Sequence, residues 1–169
     1  MTSSKDSSRH SKKENLNDLF LNKFLKKKKI DLETFNSFSK FITPNVYKRY
    51  LQRYELYKLT KNIEGSIFEC GIGAGGGLFN WILCKEIIEP FNHTKKIIGF
   101  DTFSGFPSVS KHEKKGNKKI STVGSFSTTK LYEDVLSKIL EYHAFESPAD
   151  HIKRHDLVKG DASKTIKII

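Results

Sequence analysis

The chain has 169 residues, of which 37% are hydrophobic and 12% aromatic, enough for one modest globular domain and against an intrinsically disordered protein. Its formal net charge of +11 is typical of proteins that bind nucleic acid or anionic membranes. However, residues 1–29 hold nine Lys or Arg against three Asp or Glu, so more than half of the excess positive charge lies in this N-terminal segment. Only four cations are Arg, which disfavours reading of DNA bases. We therefore expect solvated surface lysines and no nucleic-acid partner.

Cysteine usage and hydropathy indicate the compartment. Cys70 and Cys84 are too few for a disulfide framework, and each sits in an apolar segment where a buried free thiol is expected. Apolar stretches are too short for a membrane span, and the N-terminus lacks the apolar block of a secretory signal. The sequence predicts a cytoplasmic protein with no membrane partner.

The front of the chain divides by composition. Residues 1–15 are polar and Ser/Lys-rich, which predicts a disordered basic tail. Residues 16–45 are predicted to form an N-terminal helical extension, because apolar side chains at 16, 19, 20 and 24 follow helical spacing. Residues 46–169 are predicted to form the main domain.

A second helix is predicted to start at Thr43 and Pro44 and to run to about Asn62, since Thr favours the N-cap and Pro the first helical position. Its aromatic stripe is expected to pack in the core, although Arg53, Tyr54 or Tyr57 could close over a ligand at the glycine loop that follows. The stripe consists of Tyr47, Tyr50, Leu51 and Tyr54.

A strand–helix–strand unit follows. "SIFEC" predicts a short strand, "LFNWILCKEIIEP" a helix that ends before Pro90, and "KKIIGFD" a second strand that ends in Asp101. Such a unit nearly always forms two parallel strands with a right-handed connection. The fold class is therefore predicted to be α/β.

The rest of the chain continues the alternation. The long segment from Thr102 to about Thr129 is predicted to be a functional loop, with a lid as one option. "KLYEDVLSKILEYHAF" predicts a helix, "HDLVKGD" a third strand and "ASKTIKII" the opening of another helix. The inner face of the first of these helices is predicted to carry Leu131, Val135, Ile139 and Tyr142. Three strands resemble the front part of a doubly wound domain.

The loop after the first strand concentrates glycine. Six of the 11 glycines lie in Gly65–Gly77, and the spacing of Gly71, Gly73 and Gly76 satisfies the dinucleotide pattern GxGxxG. Glu69 lies just before this loop, where a carboxylate would repel a pyrophosphate and attract a cationic ligand. S-adenosylmethionine, which carries a sulfonium and an ammonium, fits that charge. Glu69 could instead accept backbone N–H groups of the loop.

Two further acids end predicted strands. Asp101 can accept hydrogen bonds from both hydroxyls of a ribose. Asp161 could meet an adenine edge, and it could equally be the N-cap of the helix that begins at Ala162. In a parallel sheet these strand ends share one edge, where ligands bind.

Three segments resemble the macrocin O-methyltransferase family: "GSIFECGIGAGGGLFNW", "EPFNHTKKIIGFDTFSGFP" and "LVKGDASKTI". The resemblance implies a Rossmann-like class I methyltransferase fold whose C-terminal part is missing here. It also implies S-adenosylmethionine as methyl donor and a sugar hydroxyl in a small molecule as acceptor. The cofactor-binding residues expected from it are Glu69, Cys70, Gly71, Gly73, Gly75 and Gly76 at the methionine part, Asp101 and Thr102 at the ribose, and Asp161 and Ala162 at the adenine.

Members of that family depend on Mg²⁺, and the resemblance places its acidic ligands in and after a fourth strand, beyond residue 169. Magnesium is therefore expected only in a longer form, no metal site is assigned to this chain, and its catalytic residues stay unknown. Homo-oligomerisation is left open. Two alternative functions are also compatible with the sequence: an NAD-dependent oxidoreductase, and a basic nucleic-acid-binding module that depends on Lys26–Lys29.

Overall fold

The computed structural model describes residues 36–109, 122–128 and 132–168. The chain divides into two units, Met1–Lys48 and Arg49–Ile169. The predicted tail and the predicted amphipathic helix lie outside the described residues, so the three-part domain division stays a prediction. In the first unit, the described residues include a 3₁₀ turn at Phe38–Phe41.

Helix α1 spans Pro44–Leu59 and starts where the sequence predicted. The Thr43 hydroxyl accepts the backbone N–H of Val46 at 3.4 Å, as an N-cap does. The helix ends at Leu59, three residues before the predicted Asn62. Just after this end, the Thr60 hydroxyl donates to the carbonyl oxygen of Tyr57 at 2.8 Å.

The aromatic stripe predicted for helix α1 is only partly correct. Tyr54 packs against the core, but Tyr47 is 48% exposed and Leu51 is 50% exposed. The buried aromatic ring is that of Tyr57, whose hydroxyl donates to a carboxylate oxygen of Glu89 at 2.8 Å. Tyr54 and Tyr57 of this helix thus pack in the core of the second unit.

The remaining elements alternate as predicted: strand β1 (Ile67–Cys70), helix α2 (Gly76–Ile88), strand β2 (Ile97–Asp101), helix α3 (Tyr132–Phe145), strand β3 (His155–Lys159) and helix α4 (Ala162–Thr165), followed by a 3₁₀ turn at Ile166–Ile168. The strands pair in parallel in the order β1–β2–β3, with Cys70 opposite Phe100 and Asp101 opposite Lys159. All three carboxyl ends therefore meet at one edge, directly beside the glycine loop.

The core forms between the sheet and helices α2 and α3. It is built from apolar side chains of these elements together with α1, namely Tyr57, Ile72, Leu78, Ile82, Cys84, Ile97, Leu136 and Leu140. The inner face predicted for α3 was wrong: Val135, Ile139 and Tyr142 are exposed, and Leu131 lies outside the described residues. Helix α3 has two apolar stripes one residue apart, and the stripe through Leu136 and Leu140 is the one that is buried.

A cluster of buried charges lies near the start of β3, far along the strand from the glycine loop. Glu86 Oε2 accepts from Arg154 Nη2 at 3.2 Å and from Ser147 Oγ at 3.0 Å. Its other oxygen, Oε1, is 3.7 Å from Lys85 Nζ and 3.6 Å from His155 Nε2. Burial lowers the pKa of His155 from 6.5 to about 4 and also lowers the pKa of Lys85. We therefore expect the stability of the fold to depend on pH through His155.

Candidate functional site

The loop between β1 and α2 turns through left-handed backbone at three glycines. Gly71, Gly73 and Gly75 have φ values of 75°, 52° and 82°, a region that other residues enter only with strain. The backbone N–H of Gly71 donates to the carbonyl oxygen of Phe100 at 2.8 Å, and that of Gly75 donates to Ile72 at 2.8 Å. These three glycines are thus required by the loop conformation itself.

The next two glycines open helix α2 and have no left-handed φ. A Cβ on Gly77 would overlap Glu69 Oε1 and would stand 2.6 Å from Arg53 Nη2. A Cβ on Gly76, in contrast, would have no heavy atom of the described residues within 4 Å, apart from its chain neighbours and the backbone of its own helix. Gly76 therefore has neither a conformational nor a packing requirement, and it leaves open space at the start of α2, as close approach of a ligand would require.

Glu69 points from β1 toward the start of α2 and forms an ion pair. Its Oε1 accepts a hydrogen bond from Arg53 Nη2 at 3.1 Å, with side-chain exposures of 18% and 28% for the acid and the base. Its Oε2 is buried and has no hydrogen-bond partner in the described part of the chain. The expectation that Glu69 could bind loop N–H groups is thus replaced by a pairing with Arg53 of helix α1.

Asp101 ties the end of β2 to the glycine loop. Its Oδ2 accepts the backbone N–H of Gly73 at 2.7 Å, and its Oδ1 accepts that of Phe103 at 2.7 Å. Each carboxylate oxygen has a second lone pair, so Asp101 can still accept the two hydroxyls of a ribose. The neighbouring Thr102 donates its hydroxyl to the carbonyl oxygen of Gly105 at 2.6 Å and so fixes the turn that follows β2.

Asp161 is the N-cap of helix α4. Its Oδ1 accepts from the backbone N–H of Ser163 at 3.0 Å and from the Ser163 hydroxyl at 2.8 Å, and these hydrogen bonds lower the pKa of Asp161. Gly160 donates its N–H to the carbonyl oxygen of Asp101 at 2.8 Å, which brings the end of β3 beside the end of β2. Asp161 and Ala162 therefore lie at the same sheet edge as the glycine loop.

The described parts of the predicted 102–129 loop bind to each other. Phe106 donates its N–H to the carbonyl of Ser125 at 3.0 Å, and Gly124 donates back to Phe106 at 3.0 Å. Phe103, with a left-handed φ of 57°, accepts from the Thr128 hydroxyl at 3.2 Å. Residues 110–121 lie outside the described part, so a lid stays a prediction.

Two residues near the site were not singled out from the sequence. Phe103 has a left-handed φ of 57°, a conformation that is uncommon and strained for a residue other than glycine, and it lies two residues after Asp101. Tyr132 of α3 reaches the loop, where its hydroxyl donates to the carbonyl oxygen of Ala74 at 3.4 Å. No local pattern marks either residue, because both positions depend on the turn after β2 and on the docking of α3.

The cysteines and the described acids bear on other chemistry. Cys84 is buried, and burial raises the pKa of its thiol, whereas Cys70 is exposed, contrary to the expectation of two buried thiols. Cys70 follows Glu69 in strand β1, at one edge of the described sheet, and consecutive strand residues point to opposite faces of a sheet. Within residues 36–109, 122–128 and 132–168, no group of three His, Cys, Asp or Glu side chains could hold a metal ion. In the same residues, no helix combines the length and apolarity that crossing a membrane requires.

Comparison with known proteins places this geometry in context. No protein-family model matches the chain, and no curated protein matches it. The fold is similar to the crystal structure of CalS11, a calicheamicin methyltransferase, with 28% sequence identity and a TM-score of 0.86 over 93% of this chain and 61% of that chain. A second structure, apo CalS11, described as a TDP-rhamnose 3′-O-methyltransferase of calicheamicin biosynthesis, aligns at 24% identity and a TM-score of 0.73 over 93% of this chain and 59% of that chain.

The chain thus spans about three fifths of the CalS11 structures that it matches. The likeness at 28% identity is to a methyltransferase, and neither structure is described as a macrocin O-methyltransferase. The parallel sheet, its strand order and this structural similarity give the conclusion about architecture: the chain has the Rossmann-like fold of class I methyltransferases.

Proposed function

We propose that this chain carries the donor-binding part of an S-adenosylmethionine-dependent O-methyltransferase that acts on a hydroxyl of a sugar or a glycosylated small molecule. The observation that carries the proposal is the similarity to CalS11, at 28% identity over 93% of the chain. The sheet and glycine loop alone would suit a nicotinamide dinucleotide as well.

Two features of the site support S-adenosylmethionine as the ligand. Open space at Gly76 admits a ligand to the start of α2, and Glu69 Oε2 is a buried acceptor without a partner in the described chain. The methionine part would lie along Glu69, Cys70 and the loop glycines. The ribose would bind at Asp101 beside Thr102, and the adenine would lie near Asp161 and Ala162, where the Asp161 side chain already caps α4.

When bound, the donor supplies an activated methyl group on a positively charged sulfur. The residues of this chain would then contribute orientation, because methyl transfer depends on alignment of the acceptor oxygen with the methyl carbon. The resemblance places the magnesium ligands beyond residue 169, and among the described residues no group of three His, Cys, Asp or Glu side chains could hold a metal ion. The catalytic residues stay unknown. Cytoplasmic location and homo-oligomerisation likewise stay predictions.

Ligand-dependent stability tests this proposal. S-adenosylhomocysteine at about one hundred times its Kd should stabilise the chain by about 2.7 kcal/mol, visible as a raised Tm, whereas NAD should leave Tm unchanged. Stabilisation by NAD alone would support the oxidoreductase instead. Methyl transfer is then assayed with TDP-rhamnose as the first acceptor, because CalS11 is described as a TDP-rhamnose methyltransferase.

The nucleic-acid alternative is checked on the same sample. It predicts binding that weakens steeply with salt and that needs Lys26–Lys29, which lie outside the described residues. If nucleic-acid binding is absent or does not weaken with salt, and S-adenosylhomocysteine raises the Tm, the methyltransferase proposal stands and the nucleic-acid alternative fails.

A further inference from the structure

The ion pair between Arg53 and Glu69 lies at the start of α2, beside the glycine loop. Arg53 comes from α1 and Glu69 from β1, and their contact of 3.1 Å lies across Gly77, where a Cβ would overlap the carboxylate. The Arg53 guanidinium carbon also lies 5.8 Å from the centre of the Trp81 ring on α2. Three elements thus hold one charged pair at the start of α2.

Both members of this pair retain unused hydrogen-bonding capacity. Glu69 Oε2 is buried with no partner among the described residues, and an unpaired buried acceptor is costly. In the same part of the chain, the Arg53 guanidinium makes a single hydrogen bond, although it carries five N–H donors. An acceptor and a donor, each incompletely used, therefore stand side by side in the site.

A zwitterionic amino acid group is the chemical complement of such a pair. We propose that Arg53 and Glu69 open to receive the amino acid end of the donor, with the α-ammonium on Glu69 and the α-carboxylate on Arg53. Planar guanidinium and carboxylate groups can form two parallel hydrogen bonds, which makes Arg53 a carboxylate-binding residue. This assignment rests on the proposed function and extends it to a residue outside the glycine loop.

Replacing the contact between Arg53 and Glu69 by contacts with the zwitterionic end of the donor leaves the net charge of the site unchanged. Without the donor, Arg53 compensates the partly buried Glu69; with the donor, each side chain gains an opposite charge from the same ligand. Trp81 gives the guanidinium a ring face on which to lie in either position. The site thereby selects ligands that carry both charges over ligands that carry only the cation.

Two donors and two Arg variants test the proposal in the whole chain. S-adenosylmethionine carries the carboxylate, and decarboxylated S-adenosylmethionine lacks it while keeping the ammonium and the sulfonium. Calorimetric Kd values for unmodified protein should favour the carboxylate-bearing donor by about ten- to a hundredfold. The Arg53→Gln variant should lose this preference, and Arg53→Lys should recover part of it, because a lysine keeps the charge without the planar fork.

Arg49→Gln is the matched control, since Arg49 is an exposed arginine one turn earlier on the same helix. It should keep the full preference. Because the preference is a ratio within one variant, a partly destabilised protein still reports it. Trp81, the only tryptophan in the sequence, gives a second readout: its fluorescence should change with S-adenosylmethionine more than with the decarboxylated donor.

The outcomes separate the two proposals. If the unmodified chain binds neither donor, the proposed function fails and this assignment fails with it. If the unmodified chain binds S-adenosylmethionine but Arg53→Gln keeps the full preference for the carboxylate, the proposed function stands and the assignment of Arg53 is overturned.

Discussion

Two adjacent glycines at the start of α2 provide a test of the ion pair without ligand. Gly76→Ala adds a methyl group into open space, whereas Gly77→Ala places the same methyl group against Glu69 Oε1 and Arg53 Nη2. Both substitutions lie in the first turn of one helix, and neither glycine has a left-handed φ. The two variants therefore differ mainly in whether Arg53 and Glu69 can stay together.

The expected changes in the free energy of unfolding have opposite signs for the two variants. Replacing an unstrained Gly by Ala stabilises a fold by about 0.4–1 kcal/mol, and Gly76→Ala should show this gain. Gly77→Ala receives a similar gain but separates a partly buried charged pair, which costs about 1–3 kcal/mol. We expect Gly77→Ala to be less stable than Gly76→Ala by that amount, and Gly76→Ala to bind S-adenosylhomocysteine more weakly despite its higher stability.

Equilibrium unfolding in urea measures both differences, provided that the m values agree. In an Arg53→Gln background most of the gap between the two alanine variants should disappear, because Glu69 is then able to rotate away from the new methyl group. Equal stability of the two alanine variants in the unmodified background would refute the argument that Gly77 makes room for the ion pair.

Three further outcomes follow from the structure. Asp101→Asn should cost about 1–3 kcal/mol in urea unfolding, because its amide nitrogen would face a backbone N–H that the carboxylate now accepts; unchanged stability would contradict this. In native protein, Cys70 should react with a thiol reagent and Cys84 only after unfolding, and two fast thiols would be the opposing result. Stability should also fall as pH drops from about 6.5 to about 4, and a His155→Gln variant should lose much of that fall.

Local signals in the sequence predicted most of the architecture. Thr43 and Pro44 mark the start of α1, and the continuous apolar run before Asp101 is typical of a central parallel strand buried on both faces. Helix faces were harder to predict. Helix α3 carries apolar residues on two neighbouring stripes, so only its packing in the folded chain shows that Leu136, and not Val135, is buried.

Sequence position alone could not show the electrostatics of Glu69. In the sequence no cationic residue is adjacent to Glu69, and a carboxylate without a neighbouring positive charge would repel a diphosphate. Folding brings Arg53, 16 residues earlier, to within 3.1 Å of it, so the pair carries no net charge. Discrimination against a dinucleotide therefore does not follow from Glu69 alone, and the proposal that the ligand is S-adenosylmethionine rests on the likeness to CalS11, a methyltransferase.

The pH dependence follows from the burial of His155. Loss of hydration is the main cause of its low pKa, and the nearby charges of Lys85 and Arg154 lower it further, while Glu86 raises it. His155 is therefore neutral in the folded chain down to a pH of about 4, whereas its ordinary pKa is 6.5. Between these values the unfolded chain binds a proton that the folded chain does not.

The sign of the effect is thus fixed: the stability due to neutral His155 is fully present above pH 6.5 and is lost as pH falls through about 4. The shift corresponds to a loss of about 3 kcal/mol, since one pKa unit is about 1.4 kcal/mol. Glutamine cannot take up this proton, so His155→Gln should be less stable near pH 7 but should lose less stability on acidification. Parallel stability curves for the two proteins between pH 7 and pH 4 would show that His155 is not the group responsible.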